Sequence, residues 1–147
     1  MKINEFEFSS QLRKDTAFLD FVEEVRQAIN IGSASVITNV NLTAQTEDIL
    51  ATTIYTPSIQ AFFRVSVYMI CTTAGTGTLS CIVRWTDPIG AKAISPASDV
   101  NLNSTANGST GNEFIVSGAS AITFETAIAG KVGNPAYSLF IVLEQLG

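Results

Sequence analysis

The fold of this chain is predicted most directly by one stretch near its middle, Gln60-Ala-Phe-Phe-Arg-Val-Ser-Val-Tyr-Met-Ile-Cys71. Successive side chains of a β-strand point to opposite faces of a sheet, so alternate residues here belong to different faces. One face is wholly apolar, and we expect it in the core: Phe63, Val65, Val67, Met69 and Cys71. The other face is mixed: Phe62, Arg64, Ser66, Tyr68 and Ile70. The stretch is therefore predicted to be a strand with one buried face.

Seven other strand-like runs surround it, separated by turns rich in Pro, Gly, Asn and Asp. Eight short strands of this kind are typical of a sandwich. The predicted fold class is all-β: an antiparallel β-sandwich, jelly-roll-like, with an N-terminal extended arm and one amphipathic α-helix. The predicted strands are 36–43, 48–55, 60–71, 78–86, 99–103, 113–116, 121–126 and 137–146.

The last of these runs is apolar on both faces. One face holds Tyr137, Leu139, Ile141 and Leu143, and the other holds Phe140, Val142 and Leu146. A strand of this composition is typical of the middle of a sheet that is covered on both sides. We expect it to be central, with its second face covered by the N-terminal helix or by a second subunit.

Charge divides the chain into two parts, because 10 of its 21 charged residues lie in the first 32 positions. Residues 1–32 are predicted to form an arm and a helix for anchoring or oligomerisation, and residues 33–147 the β-sandwich domain. The arm, Asn4-Glu-Phe-Glu-Phe-Ser9, alternates polar and apolar residues, which fits either pairing with a partner's strand edge or a frayed terminus. Apolar residues at helical spacing follow between positions 15 and 30. The predicted interface residues are Phe6, Phe8, Phe18, Val22, Val25 and Ile29.

The composition favours a protein that is partly buried in an assembly. The chain is 46% hydrophobic and 14% charged, with a mean hydropathy of +0.31, whereas ordinary soluble domains are roughly 25% charged. We therefore expect a homo-oligomer. No window approaches the ~18 uninterrupted apolar residues of a membrane span, and the N-terminus does not resemble a secretory signal. A net charge of −5 without clustered Lys or Arg argues against a nucleic-acid partner.

The chemistry available to the chain argues against an enzyme. It contains no histidine, which excludes Ser-His-Asp and Cys-His mechanisms within this chain. Its two cysteines without histidine offer no zinc-site spacing, and the spacing of its acidic residues selects no catalytic carboxylate pair. We predict no catalytic residue, no metal site and no cofactor.

Cys71 and Cys81 flank a Gly-Thr-Gly turn at residues 75–77. If this turn closes a hairpin, the two cysteines lie on neighbouring strands, as two buried thiols or as a cross-strand disulfide. The segment 103–112, rich in Ser, Thr, Asn and Gly, is predicted to be an exposed loop.

Three charged residues interrupt apolar strands: Arg64, Arg84 and Glu144. If their strands are neighbours, Glu144 can bridge one or both arginines, and such pairs set strand register or subunit orientation. Trp85 and Tyr68 are candidates for stacking on a glycan. The alternative for Trp85 is a place in the core, since it continues the alternating set that begins at Leu79.

Four segments resemble small β-sandwich accessory proteins of tailed-bacteriophage virions: Tyr55-Thr-Pro-Ser58, Phe63-Arg-Val-Ser-Val-Tyr68, Arg84-Trp-Thr-Asp87, and Tyr137-Ser-Leu139 closing on Leu143-Glu144. The resemblance covers residues 54–146.

This resemblance implies a non-enzymatic structural protein that decorates or stabilises the capsid, or forms a head fibre or tail attachment. It implies a homotrimer, capsid or tail subunits as partners, and a place in the virion after assembly in the host cytoplasm. The alternative function is a carbohydrate-binding or adhesion module that contacts a host glycan through Trp85 and tyrosine side chains near the polar loop.

Overall fold

The structure is a computed structural model that describes Asp20 and residues 34–147. The predicted arm, helix and interface residues Phe6, Phe8, Phe18, Val22, Val25 and Ile29 lie outside the described residues. The compact unit Ala34–Leu146 consists of two antiparallel β-sheets. The prediction of an all-β sandwich is confirmed for this unit.

Nine strands form the described part of the chain. Eight of them correspond to the predicted strands, and β5 is additional. In chain order they are β1 (Ala34–Gln45), β2 (Ile49–Tyr55), β3 (Ala61–Thr73), β4 (Thr76–Asp87), β5 (Gly90–Ile94), β6 (Val100–Asn101), β7 (Gly108–Ser117), β8 (Ile122–Val132) and β9 (Ala136–Leu146).

The strand order is that of a jelly roll. The first sheet runs β1-β9-β3-β7, and the second runs β2-β8-β4-β5, with β6 paired to β4. The antiparallel pairs β1/β9, β2/β8, β3/β7 and β4/β5 alternate between the two sheets. They are the successive pairs of one long hairpin wound around the core, which is how a jelly roll places its eight main strands.

The core lies between the sheets and is built from inward-facing residues of each strand. The apolar face predicted for the 60–71 stretch is buried in β3, and Leu79, Cys81 and Val83 are buried in β4. Burying a large apolar side chain contributes about 1.5–3 kcal/mol relative to leaving it exposed. The alternating pattern of β3 therefore determines which of its faces points inward.

Strand β9 is central in the first sheet, between β1 and β3, as predicted. Its inward residues Tyr137, Leu139, Ile141 and Leu143 are fully buried. Its other face carries Phe140, Val142 and Leu146, which are half-buried. The described residues therefore cover one face of this apolar strand completely and the other only in part.

The hairpin expected around residues 75–77 is not formed. Strand β3 pairs with β7 and β9, whereas β4 pairs with β5, β6 and β8, so the short connection at residues 74–75 carries the chain from one sheet to the other. Gly77, with φ of 143°, has a backbone conformation that other residues rarely adopt. Cys71 and Cys81 consequently lie in different sheets, and both are free and buried.

The polar segment 103–112 is only partly a loop. Residues 108–112 begin β7 and pair with β3, for example Gly111 with Val67. A Cβ atom at Gly111 would lie 2.0 Å from the Pro96 carbonyl oxygen, so the close approach of this backbone requires glycine. Pairing with an apolar neighbour thus makes a strand of a sequence whose own propensity favours a loop.

Candidate interaction surface

The most distinctive surface of the described unit is the side of the first sheet that faces away from the core. We call it the outer face. Directly opposed residues of antiparallel strands project from the same face, and the register therefore gives the outer face four rows that span all four strands. In the order β1, β9, β3, β7 the rows are Ala34, Leu146, Phe62, Val116; Val36, Glu144, Arg64, Phe114; Asn39, Val142, Ser66, Asn112; and Asn41, Phe140, Tyr68, Thr110.

The first two rows expose an unusual amount of apolar side chain. Val36, Phe62 and Phe114 are 59%, 57% and 68% exposed, and Val116 and Leu146 in the first row are half-buried. We call these five residues the apolar patch. With Tyr68, the outer face holds four of the eight large hydrophobic residues exposed among the described residues. This grouping of exposed apolar side chains makes the outer face the candidate interaction surface of the described unit.

An ion pair lies in the middle of the patch. Arg64 on β3 donates a hydrogen bond from Nε to Oε2 of Glu144 on β9, with 2.6 Å between the two atoms. This hydrogen bond raises the pKa of the Arg64 guanidinium and lowers the pKa of the Glu144 carboxyl. Among the described residues, no other acceptor bonds the Arg64 guanidinium. Its Nη groups therefore keep donors that a partner can use.

Arg84 does not join this pair. It lies on the outward side of the second sheet, where Nη2 and Nε donate hydrogen bonds of 2.6 and 3.1 Å to Oε1 of Glu125 on β8. The sequence led us to expect that Glu144 bridges one or both arginines if their strands are neighbours, and the structure places Glu144 beside Arg64 alone. The reason is that β4 and β9 belong to different sheets.

Trp85 and Tyr68 also lie in different sheets and do not form one platform. Trp85 packs against the core, and its Nε1 is buried with no hydrogen-bond acceptor among the described residues. Tyr68 is 42% exposed and stacks on Phe140, with ring centroids 5.9 Å apart. It is opposed to Thr110, which belongs to the polar segment 103–112.

Two shallow depressions lie on the outward side of the second sheet among the described residues. One, of about 310 Å³, is lined by Trp85, by the cations Arg84 and Lys92, and by threonine and alanine side chains. Arg84 is bonded to Glu125, and Lys92 Nζ lies 3.7 Å from an Asp87 carboxylate oxygen. Both cations have carboxylate partners, so the charges in this depression are paired among the described residues.

A buried polar network joins the two sheets and was not foreseen from the sequence. The amide of Ile49 donates to Thr126 Oγ1 at 3.0 Å, the hydroxyl groups of Thr126 and Tyr137 lie 2.7 Å apart, and Tyr137 Oη donates to the Glu47 carbonyl oxygen at 3.0 Å. Asp48 accepts a hydrogen bond from the Ile128 amide at 2.8 Å. The network fixes the β1–β2 connection against β8 and β9.

The cysteines are not suited to reaction. Burial raises the pKa of the Cys81 thiol to about 12, with a further contribution from the charge of Glu125, and burial also raises the pKa of Cys71. Both thiols are therefore protonated near neutral pH, and the thiolate is the reactive form.

Within the described ranges, no cluster of three or more His, Cys, Asp or Glu side chains could hold a metal ion. No helix in that part of the chain has the length and hydrophobicity needed to cross a membrane.

No protein-family model and no curated protein matches the sequence. Among solved structures, the PRD1 vertex protein P5 matches with a TM-score of 0.48 and 10% identity, over 77% of this chain and 99% of that one. A chain of the infectious bursal disease virus Gx strain matches with a TM-score of 0.47 and 16% identity. The match covers 78% of this chain and 32% of the viral chain, so this chain spans about a third of its length.

The CBM22-1 xylan-binding domain of Paenibacillus barcinonensis Xyn10C matches with a TM-score of 0.42 and 13% identity, over 78% of this chain and 81% of that domain. All three matches have TM-scores below 0.5 and low identity. The function is therefore inferred below from the residues of this chain.

Proposed function

We propose that this protein is a non-enzymatic structural component of a bacteriophage virion, which decorates or stabilises the capsid or forms a fibre or tail attachment by packing of its β-sandwich in an oligomer. The observation that carries the proposal is the apolar patch of the outer face. Large apolar side chains exposed around the Arg64–Glu144 ion pair are better suited to burial against another protein than to permanent contact with water. The resemblance of residues 54–146 to phage accessory proteins supplies the virion context.

The remaining parts of the proposal concern residues 1–32. In this proposal they anchor the sandwich or connect subunits through Phe6, Phe8, Phe18, Val22, Val25 and Ile29, while capsid or tail subunits are the partners. A virion component present in many copies gains avidity, because modest contacts add over the assembly. Deletion of residues 1–30 is expected to abolish incorporation into particles. Unchanged incorporation would refute the anchoring role.

Incorporation into particles also tests the patch. Phe114→Asp places a carboxylate in the apolar patch, and we expect it to reduce the amount of the protein in purified particles severely. The matched control is Ile89→Asp, because Ile89 is 88% exposed in the turn between β4 and β5, away from the outer face. Equal incorporation of the two variants, measured by quantitative mass spectrometry, would contradict a contact through the patch.

A second candidate function is glycan binding, and the exposed Tyr68–Phe140 stack favours it. Aromatic faces bordered by Asn and Thr side chains, here Asn41 and Thr110, suit the apolar and hydroxyl-bearing surfaces of a sugar. Trp85, the other predicted contact, lies apart from this stack in the second sheet, where it packs against the core and lines the depression of about 310 Å³. Glycan-array binding that is lost in Tyr68→Ala and retained in Trp85→Phe would favour this function over assembly alone.

A further inference from the structure

Each of the four rows of the outer face is complementary to the same row read in the reverse strand order. A two-fold axis parallel to the strands, between β9 and β3, exchanges β9 with β3 and β1 with β7. We propose that the outer face binds a second copy of this chain face to face about such an axis, with Arg64 of each copy opposite Glu144 of the other. This inference rests on the proposed assembly role and names the partner of the apolar patch.

The apolar rows fit this arrangement. Val36 of one copy would oppose Phe114 of the second copy, and Leu146 would oppose Phe62, so smaller aliphatic side chains meet aromatic rings. The third row places Asn39 opposite Asn112 of the second copy, where two amides can exchange hydrogen bonds. The fourth row would bring Phe140 against Tyr68 of the second copy.

The rotation between packed sheets, typically about 30°, displaces the outer strands most. The β3 and β9 residues lie beside the axis, so they stay most nearly opposite their counterparts in the second copy. These residues include both charged ones. The fit of the two faces therefore depends mainly on the contacts between β3 of one copy and β9 of the other.

Charge complementarity also favours a second copy. A partner that covered the patch with purely apolar side chains would bury the Arg64–Glu144 pair without satisfying its remaining donors and acceptors, which is costly. In the two-fold arrangement the Nη donors of each Arg64, which bond none of the described residues, face the carboxylate of the opposing Glu144. Four charges then form a neutral ring, and each ion has partners in both copies.

The size of the outer face predicts a weak contact. Strands about 4.8 Å apart and rows about 7 Å apart give a flat footprint on the order of 20 Å by 20 Å. Stable interfaces bury about 800 Å² of accessible surface on each partner. The flat footprint of the outer face, on the order of 400 Å², is about half of that value, so we expect a dimer that forms reversibly with concentration and is reinforced in an assembly.

The decisive experiment uses two charge reversals in the full chain, R64E and E144R. Each variant alone brings like charges together within and between copies, and like-charge contacts of this kind oppose association. We expect self-association to weaken by more than about a hundredfold in each. Sedimentation equilibrium from micromolar to millimolar concentration measures the change.

Mixing the two variants separates contacts between copies from contacts within one copy. The R64E copy presents two carboxylates and the E144R copy presents two cations, so a mixed dimer has complementary charges across the contact although each chain stays repulsive internally. We expect the 1:1 mixture to recover dimers, seen as a mixed mass by native mass spectrometry. A role confined to strand register within one chain predicts no recovery on mixing.

The matched controls are R84E and E125R, which reverse the comparable ion pair on the second sheet. They are expected to leave self-association unchanged, alone or mixed. Phe114→Asp is a further variant that does not disturb the ion pair, and it should also abolish dimers. Circular dichroism and urea unfolding verify that each variant is folded.

Several outcomes would overturn the inference. A wild-type chain that stays monomeric at millimolar concentration would show that the face is covered by another part of the chain or by a different protein. A trimer, which the sequence resemblance implies, would exclude a two-fold contact as the basis of the oligomer. Failure of mixing while the chain still enters particles refutes only the dimer, whereas dimers without incorporation refute only the virion role.

Discussion

The buried hydroxyl of Tyr137 provides a sharp test of the contacts between the two sheets. Three hydrogen bonds run in series from the Ile49 amide through Thr126 and Tyr137 to the Glu47 carbonyl oxygen, at 3.0, 2.7 and 3.0 Å. Burial also raises the pKa of Tyr137, with the hydrogen bond to Thr126 acting in the opposite direction, so the hydroxyl is neutral at ordinary pH. Tyr137→Phe removes the middle of this series with little change of volume.

The expected loss follows from the groups left behind. The Thr126 hydroxyl loses its hydrogen bond to Tyr137, and Thr126 is only 4% exposed to solvent. The Glu47 carbonyl oxygen loses the hydroxyl that donates to it. An unsatisfied buried polar group costs about 1–3 kcal/mol, and we expect Tyr137→Phe to lower the free energy of unfolding by about that amount. With a urea slope near 1–3 kcal/mol/M, the unfolding midpoint should fall by roughly 1 M at an unchanged slope.

The matched control is Tyr55→Phe. Tyr55 packs edge-on against Phe63, with centroids 6.0 Å apart, and its hydroxyl bonds none of the described residues. Its loss should change the free energy of unfolding by less than about 0.5 kcal/mol. Each single change, Thr126→Val or Tyr137→Phe, leaves the other hydroxyl without its hydrogen-bond partner. The loss of unfolding free energy in the double variant should therefore be smaller than the sum of the two single losses. Equal stability of Tyr137→Phe and Tyr55→Phe would refute the reasoning.

Three further predictions concern stability. Leu139→Ala opens a cavity at a fully buried site of β9 and should lower the free energy of unfolding by about 2–5 kcal/mol, measured by urea unfolding. Gly111→Ala forces a Cβ atom against the Pro96 carbonyl and should destabilise by about 1–3 kcal/mol, and a variant as stable as wild type would contradict the close backbone approach. Because Arg64 lowers the Glu144 pKa below its ordinary value of 4.5, the pair stabilises the fold above pH 4.5, and this contribution disappears as pH falls through the lowered pKa. Glu144→Gln should therefore flatten the fall in stability in that acidic range, as followed by thermal unfolding at successive pH values.

The strands that could be predicted from the sequence are those whose burial follows local alternation. In β3 the apolar side chains recur at every second position, so burial of that face requires a strand and fixes its orientation. Strand β5 escaped prediction because Gly90, Ala91, Lys92 and Ala93 have low strand propensity and gain their structure from pairing with β4. Residues 108–112 escaped prediction for the same reason.

The partners of the charged residues depend on long-range pairing, which local sequence does not encode. Arg64 and Glu144 are 80 positions apart and meet because β3 pairs with β9. Arg84 has the same kind of sequence environment, yet its partner is Glu125, since β4 joins the other sheet. The turn at residues 75–77 determines where β3 ends and β4 begins, but it does not determine whether the chain returns within the same sheet.

The Arg64–Glu144 and Arg84–Glu125 ion pairs differ in their exposure to solvent, and this difference indicates which of them is suited to a contact with another protein. The side chains of Arg84 and Glu125 are 50% and 30% exposed, whereas those of Arg64 and Glu144 are 36% and 17% exposed and lie among the apolar patch. An ion pair in water contributes little to stability, and a pair half removed from water contributes more only when its remaining hydrogen-bonding groups find partners. The Arg64–Glu144 pair lacks those partners among the described residues. A sheet face that is apolar, charge-neutral and incompletely bonded among the described residues is better suited to a second protein surface than to solvent.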